Sequence, residues 1–127
     1  MTRSSYKFVD KDQPHFLTFT VVEWLPLFSN PAIVGIILDS LKFLQKERGF
    51  IIYAYVILEN HIHLIASAED LGKTVKEFKS LTATQIIKYL EERGSHYLLN
   101  MLRRAKLDPK TESKRQRKAA CGFGKDR

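Results

Sequence analysis

Apolar and polar positions first organise near residue 15. His15-Phe16-Leu17-Thr18-Phe19-Thr20-Val21-Val22 is rich in β-branched and aromatic residues, with Leu17, Phe19 and Val21 on one face, and predicts a strand that Pro26 ends. Ser29-Asn30-Pro31 then reads as a helix start, a capping side chain followed by a proline in the first turn, where its missing N–H costs little. Ile33, Ile36, Ile37, Leu41 and Leu44 follow at helical spacing up to Gly49, a natural stop. The nearly unbroken apolar run from Phe50 to Leu58 predicts a strand packed on both faces, with Tyr53 and Tyr55 as core or face-packing residues. Glu59-Asn60 reads as a tight turn into His61-Ile62-His63-Leu64-Ile65-Ala66-Ser67, which alternates as a neighbouring antiparallel strand does. Helical sequence resumes around Val75, Phe78, Leu81, Ile86 and Leu90, stops near Gly94, and returns from Tyr97 to Ala105.

The order β-α-β-β-α-α, with strands joined both by a helix and by a tight turn, predicts an α+β sandwich. Its sheet is mainly antiparallel and its helices lie on one face. A chain of 127 residues, 44% hydrophobic and 28% charged, suffices for one domain with one core. Residues 1–14 read as a polar N-terminal arm, 15–107 as the domain and 108–127 as a tail. No run approaches the roughly 18–20 apolar residues that span a bilayer, and the N-terminus lacks the apolar centre of a secretory signal. The expectation is a soluble, cytoplasmic chain with no membrane partner.

Charge changes the picture only at one end. Residues 1–102 carry 11 Lys and Arg against 11 Asp and Glu, whereas residues 103–127 carry 10 against 3. All the excess positive charge therefore sits in the last 25 residues, which attracts polyanions without specifying one and fits a disordered segment. The lone Cys121 excludes an internal disulfide framework and any zinc site built from several thiolates.

The sharpest chemical feature is His61-Ile62-His63. Residues i and i+2 of a strand share a face and stand roughly 6.5–7 Å apart at the backbone, a span that two imidazoles close around one cation. Further ligands must come from elsewhere, with Glu59, Glu23 and Gln85 as unranked candidates. Two histidines decorating an exposed sheet face are the plainer alternative.

Three segments carry a family resemblance. They are His15-Phe16-Leu17-Thr18-Phe19-Thr20-Val21-Val22-Glu23-Trp24, Tyr53-Ala54-Tyr55-Val56-Ile57-Leu58-Glu59-Asn60-His61-Ile62-His63-Leu64-Ile65, and Phe78-Lys79-Ser80-Leu81-Thr82. In this order and spacing the chain resembles the IS200-like tyrosine transposases of the HUH, single-tyrosine kind, closest to the branch associated with repetitive extragenic palindromes, over about residues 13–107. The resemblance implies a ferredoxin-like α+β fold, a homodimer, and a divalent ion, Mg2+ or Mn2+, held by His61 and His63. It also implies a single-stranded or hairpin DNA substrate, cleaved and rejoined through a phosphotyrosine intermediate.

The family's nucleophilic tyrosine lies on a helix downstream of the histidines, and residues 115–127 carry none of its features. A frameshift or early stop after about residue 114 is the expectation that follows. Tyr89, on the helix beginning near Val75, is the candidate nucleophile within the chain, with a packing role as its alternative; Tyr97 sits on the next helix. Lys76 and Lys79, near one side of that same helix, are candidate DNA-backbone contacts, and Trp24 is a candidate for stacking on an unpaired base or packing at the domain edge. Two functions compete: a metal-dependent single-stranded-DNA transposase domain, and a non-catalytic DNA-binding remnant of one.

Overall fold

The computed structural model describes residues 13–107. The arm up to residue 12 and the basic tail from residue 108 lie outside the described residues, and so does the expectation of disorder in that tail. Among these residues are three strands, β1 (His15–Thr20), β2 (Ile51–Ile57) and β3 (His61–Ser67), and three helices, α1 (Pro31–Glu47), α2 (Leu71–Glu92) and α3 (His96–Leu107), in the order β1-α1-β2-β3-α2-α3. The sheet is antiparallel throughout, in the order β1-β3-β2. The fold is α+β. Its element order follows the ferredoxin-like β-α-β-β-α-β pattern as far as α2 and then places α3 where that pattern has a strand.

Local chemistry explains most boundaries. The Asn30 side chain accepts from the Ala32 N–H, capping α1 ahead of Pro31, and the Asp70 side chain accepts from the Lys73 N–H at the start of α2. Beyond the ends of α1 and α2 stand Gly49 and Gly94, both at positive φ (62° and 66°), a conformation in which glycine has no Cβ to clash. The β2-β3 hairpin turns on Glu59-Asn60, closed by the Leu58 N–H donating to the His61 carbonyl at 2.8 Å.

The core lies on one side of the sheet. Leu17 and Phe19 of β1 pair in register with Leu64 and Ile62 of β3, and all four are buried under α1 and α2. Ile33, Ile37, Leu41 and Leu44 descend from α1; Leu71, Val75, Phe78, Ile86 and Leu90 descend from α2. Phe78 meets Phe19 edge-on with ring centroids 5.0 Å apart.

Two expectations are corrected. The first strand ends at Thr20, two residues early, because the chain then folds into 3-10 turns at Val22–Trp24 and Leu27–Ser29. This segment is tied to the hairpin turn by the Val21 N–H donating to the Asn60 carbonyl and the Phe28 N–H to that of Glu59, each at 2.9 Å. Second, β2 is not packed on both faces. It is an edge strand, and Ile51, Tyr53, Tyr55 and Val56 are between 46% and 56% exposed, so neither tyrosine is a core residue. An irregularity between Ile52 and Ala54 leaves Tyr53 without a partner residue across the ladder, and its hydroxyl lies 3.3 Å from that of Ser67.

Candidate metal centre

Because successive side chains of a strand point to opposite faces, burying Ile62 and Leu64 leaves His61 and His63 on the face that α1 and α2 do not cover. Across the β1-β3 ladder they stand opposite Thr20 and Thr18. Their ring centroids are 4.7 Å apart and the rings are nearly perpendicular, at 79°. The β pairing thus brings the two imidazoles directly against each other.

Each ring is oriented through one nitrogen. His61 Nδ1 donates to Asn60 Oδ1 at 2.7 Å, and His63 Nδ1 lies 3.1 Å from Thr18 Oγ1. In His61 the proton on Nδ1 leaves the Nε2 lone pair for a cation, the arrangement by which an outer oxygen fixes the tautomer of a ligating histidine, and the Thr18 hydroxyl, which can accept as well as donate, allows the same tautomer in His63. Partial burial first, and then the charge of neighbouring His63, lower the pKa of His61 below the ordinary histidine value, while the Glu59 carboxylate works against them. A lowered pKa keeps the imidazole neutral, the form that binds metal.

Two aromatic rings flank the pair. Phe16 of β1 lies 5.3 Å from His63 between centroids, and Trp24 lies 6.4 Å from His61. Trp24 reaches that place from the turn after β1, where it and Glu23 both sit at φ 55°.

Other predicted residues are elsewhere. Among the described residues no cluster of three His, Cys, Asp or Glu forms, so neither Glu59 nor Glu23 completes a three-residue set with the histidines, and Gln85 lies on α2 on the covered side of the sheet. Tyr89, the candidate nucleophile, packs against the core in the helical layer, and its hydroxyl accepts from Asn30 Nδ2 at 3.3 Å at the start of α1, with no hydrogen bond or ring contact to either histidine among the described residues. Tyr97 is exposed on α3 and has no ring contact or hydrogen bond with either histidine among the described residues. Lys76 and Lys79 lie on α2, also behind the sheet as seen from the histidines. Lys79 is half-buried with its ammonium 5.9 Å from the centroid of the Phe19 ring, and burial lowers its pKa.

The sequence placed Asn60 in the hairpin turn and Thr18 in the first strand, but gave neither a part in orienting the histidines. Asn60 sits next to His61 and was legible in principle, whereas Thr18 is found only from the register that sets it opposite His63. No helix among the described residues is long and apolar enough to cross a membrane. The chain matches no family model, no curated protein and no solved structure.

Proposed function

We propose that this chain is a metal-dependent single-stranded-DNA domain of the IS200-like transposase type. The observation that carries the reading is the pair His61 and His63, side by side on the uncovered face, each with Nδ1 held by a neighbouring oxygen and Nε2 left as the nitrogen that could coordinate. Imidazole nitrogens suit Mn2+ better than the harder Mg2+, and either ion would fill the rest of its shell with the oxygen donors it prefers, those of water and phosphate. Such an ion, when bound, supplies Lewis-acid polarisation of a phosphate oxygen. The chain's own residues hold and orient: His61 and His63 as ligands, Asn60 and Thr18 as the groups that fix their rings.

The test is labelled single-stranded hairpin DNA with Mn2+ or Mg2+, followed on native and denaturing gels. Binding that requires the ion, and that is lost in His61→Ala with His63→Ala, is the expected result; undiminished metal affinity in that double variant refutes the site. The position of Tyr89 favours the second reading, a DNA-binding relative in which residues 13–107 do not cleave the strand. It predicts no covalent adduct on the denaturing gel, and an adduct that disappears in Tyr89→Phe overturns it.

The same reading includes a homodimer, and β2 is its interface. This edge strand carries no charged residue from Ile51 to Leu58 and exposes large apolar side chains, the features of an edge that pairs with another strand. Val56→Lys is expected to convert a dimer to a monomer in light scattering; a wild-type chain that is monomeric at all concentrations refutes this interface.

A further inference from the structure

Four rings form a row on the uncovered face: Phe16, His63, His61 and Trp24, with successive centroids 5.3, 4.7 and 6.4 Å apart. The two middle rings are the histidines, and the two outer ones are apolar aromatics, 39% and 47% exposed. We infer that Phe16 and Trp24 are base-stacking residues, taking the unpaired bases on either side of the phosphate that the histidine pair addresses; the inference rests on the single-stranded-DNA reading above.

Three features beyond the spacing point to nucleotide bases. First, the outer rings arrive from different elements, Phe16 on β1 and Trp24 on the turn after it, so no single amphipathic pattern accounts for their alignment with the histidines. Second, the turn that delivers Trp24 is strained. Glu23 and Trp24 are consecutive non-glycine residues at φ 55°, in the left-handed region that L side chains rarely adopt. The turn is held by the Trp24 N–H donating to the Val21 carbonyl at 3.1 Å and by the two bonds from Val21 and Phe28 into the hairpin turn. A tryptophan kept half-exposed at such a position is not there to fill the core.

Third, charge divides the labour. The strand positions beside the rings are Thr18, Thr20, Val56 and Ile65, without a Lys or Arg to hold a phosphate backbone. Arg103 and Arg104 instead stand on α3, which packs against the Val22–Trp24 turn, and they open the chain's basic segment. A polyanion drawn to Arg103 and Arg104 meets the helix that packs against the turn carrying the Trp24 ring. Duplex DNA keeps its bases stacked inward, whereas each base of a single strand has a face to offer.

Trp24 is the only tryptophan, so its intrinsic fluorescence reports the site directly. The experiment titrates the full chain with a dT oligonucleotide, and with an abasic oligonucleotide of the same length, in Mg2+. Stacking predicts quenching of Trp24 by the dT strand and little by the abasic one. Read by the fluorescence anisotropy of a labelled dT strand, which does not depend on Trp24, Phe16→Leu and Trp24→Leu, which keep apolar bulk at exposed positions and spare the core, should each weaken dT binding by about 5- to 150-fold, while Trp24→Phe, which keeps a ring face, should retain it. Equal binding of the dT and abasic strands, or unchanged affinity in both leucine variants, overturns the inference. If those results come with Mg2+-dependent binding that His61→Ala and His63→Ala abolish, the transposase reading stands without it. A wild-type chain that binds no single-stranded DNA removes both.

Discussion

The two faces of the one three-stranded sheet are built from the same strands and do opposite work. On the covered face Leu17, Phe19, Ile62 and Leu64 are sealed beneath α1 and α2, and their neighbours are other apolar side chains of the core. On the uncovered face, one residue along each strand, Phe16, Thr18, His61, His63 and Ile65 leave two imidazoles, a hydroxyl and aromatic surface partly open to solvent. Burial on one side holds the backbone still, and a still backbone sets the 4.7 Å spacing of the imidazoles on the other. Stability and chemistry are thereby assigned to alternate residues of β3.

The sharpest way to break this comparison is a matched pair of truncations on adjacent residues. Leu64→Ala, at a site 1% exposed, should cost about 2–5 kcal/mol, and Ile65→Ala on the other face about 1 kcal/mol or less. Denaturant midpoints with unchanged slopes measure both, and similar losses for the two would mean that the uncovered face is also packed. Next in size is a change that should touch function without touching the fold. Thr18→Val removes the hydroxyl beside His63 Nδ1 while keeping the side-chain shape, so Mn2+ affinity should fall by about 10- to 100-fold at nearly constant stability. Calorimetric titration reads the affinity, and an unaltered Kd would show that the hydroxyl does not orient the ring.

The smallest expected effect concerns protons in the metal-free protein. His61 should titrate below the ordinary histidine range, and His63→Ala, which removes one of the charges that lower it, should move it upward. Since the folded chain holds this proton less tightly than the unfolded chain, the associated stability is complete above the ordinary histidine pKa and is lost as pH falls through the lowered one. Imidazole NMR shifts follow both; a His61 that titrates higher than a free histidine would reverse the sign.

How legible the molecule was depended on the range of the interaction involved. Asn30 and Pro31 at the start of α1, Gly49 and Gly94 beyond the ends of α1 and α2, and the Glu59-Asn60 turn are read within a few residues, because caps and turns are made by neighbours in sequence. The run from Phe50 to Leu58 misled for the same reason. An apolar strand looks alike at the centre of a sheet and at an edge whose surface is kept for something else, and only the pairing order places β2 at the edge. Trp24 misled in a second way: the extended sequence before it gave no sign of consecutive left-handed residues, which are held by bonds to the hairpin turn some thirty-five residues later.

By itself the sequence determined the periodicities: three strands, two of them joined in a hairpin, three helices, and two histidines of β3 on one face, since alternation and helical repeat are properties of consecutive backbone units. Only the tertiary structure decided which strand stands in the middle, which face the helices cover, that Tyr89 stays with Asn30 in the helical layer, and that Phe16, Thr18 and Trp24 gather around His61 and His63. Those outcomes turn on which distant segments pair and pack, and burial of the apolar core selects that arrangement for the chain as a whole.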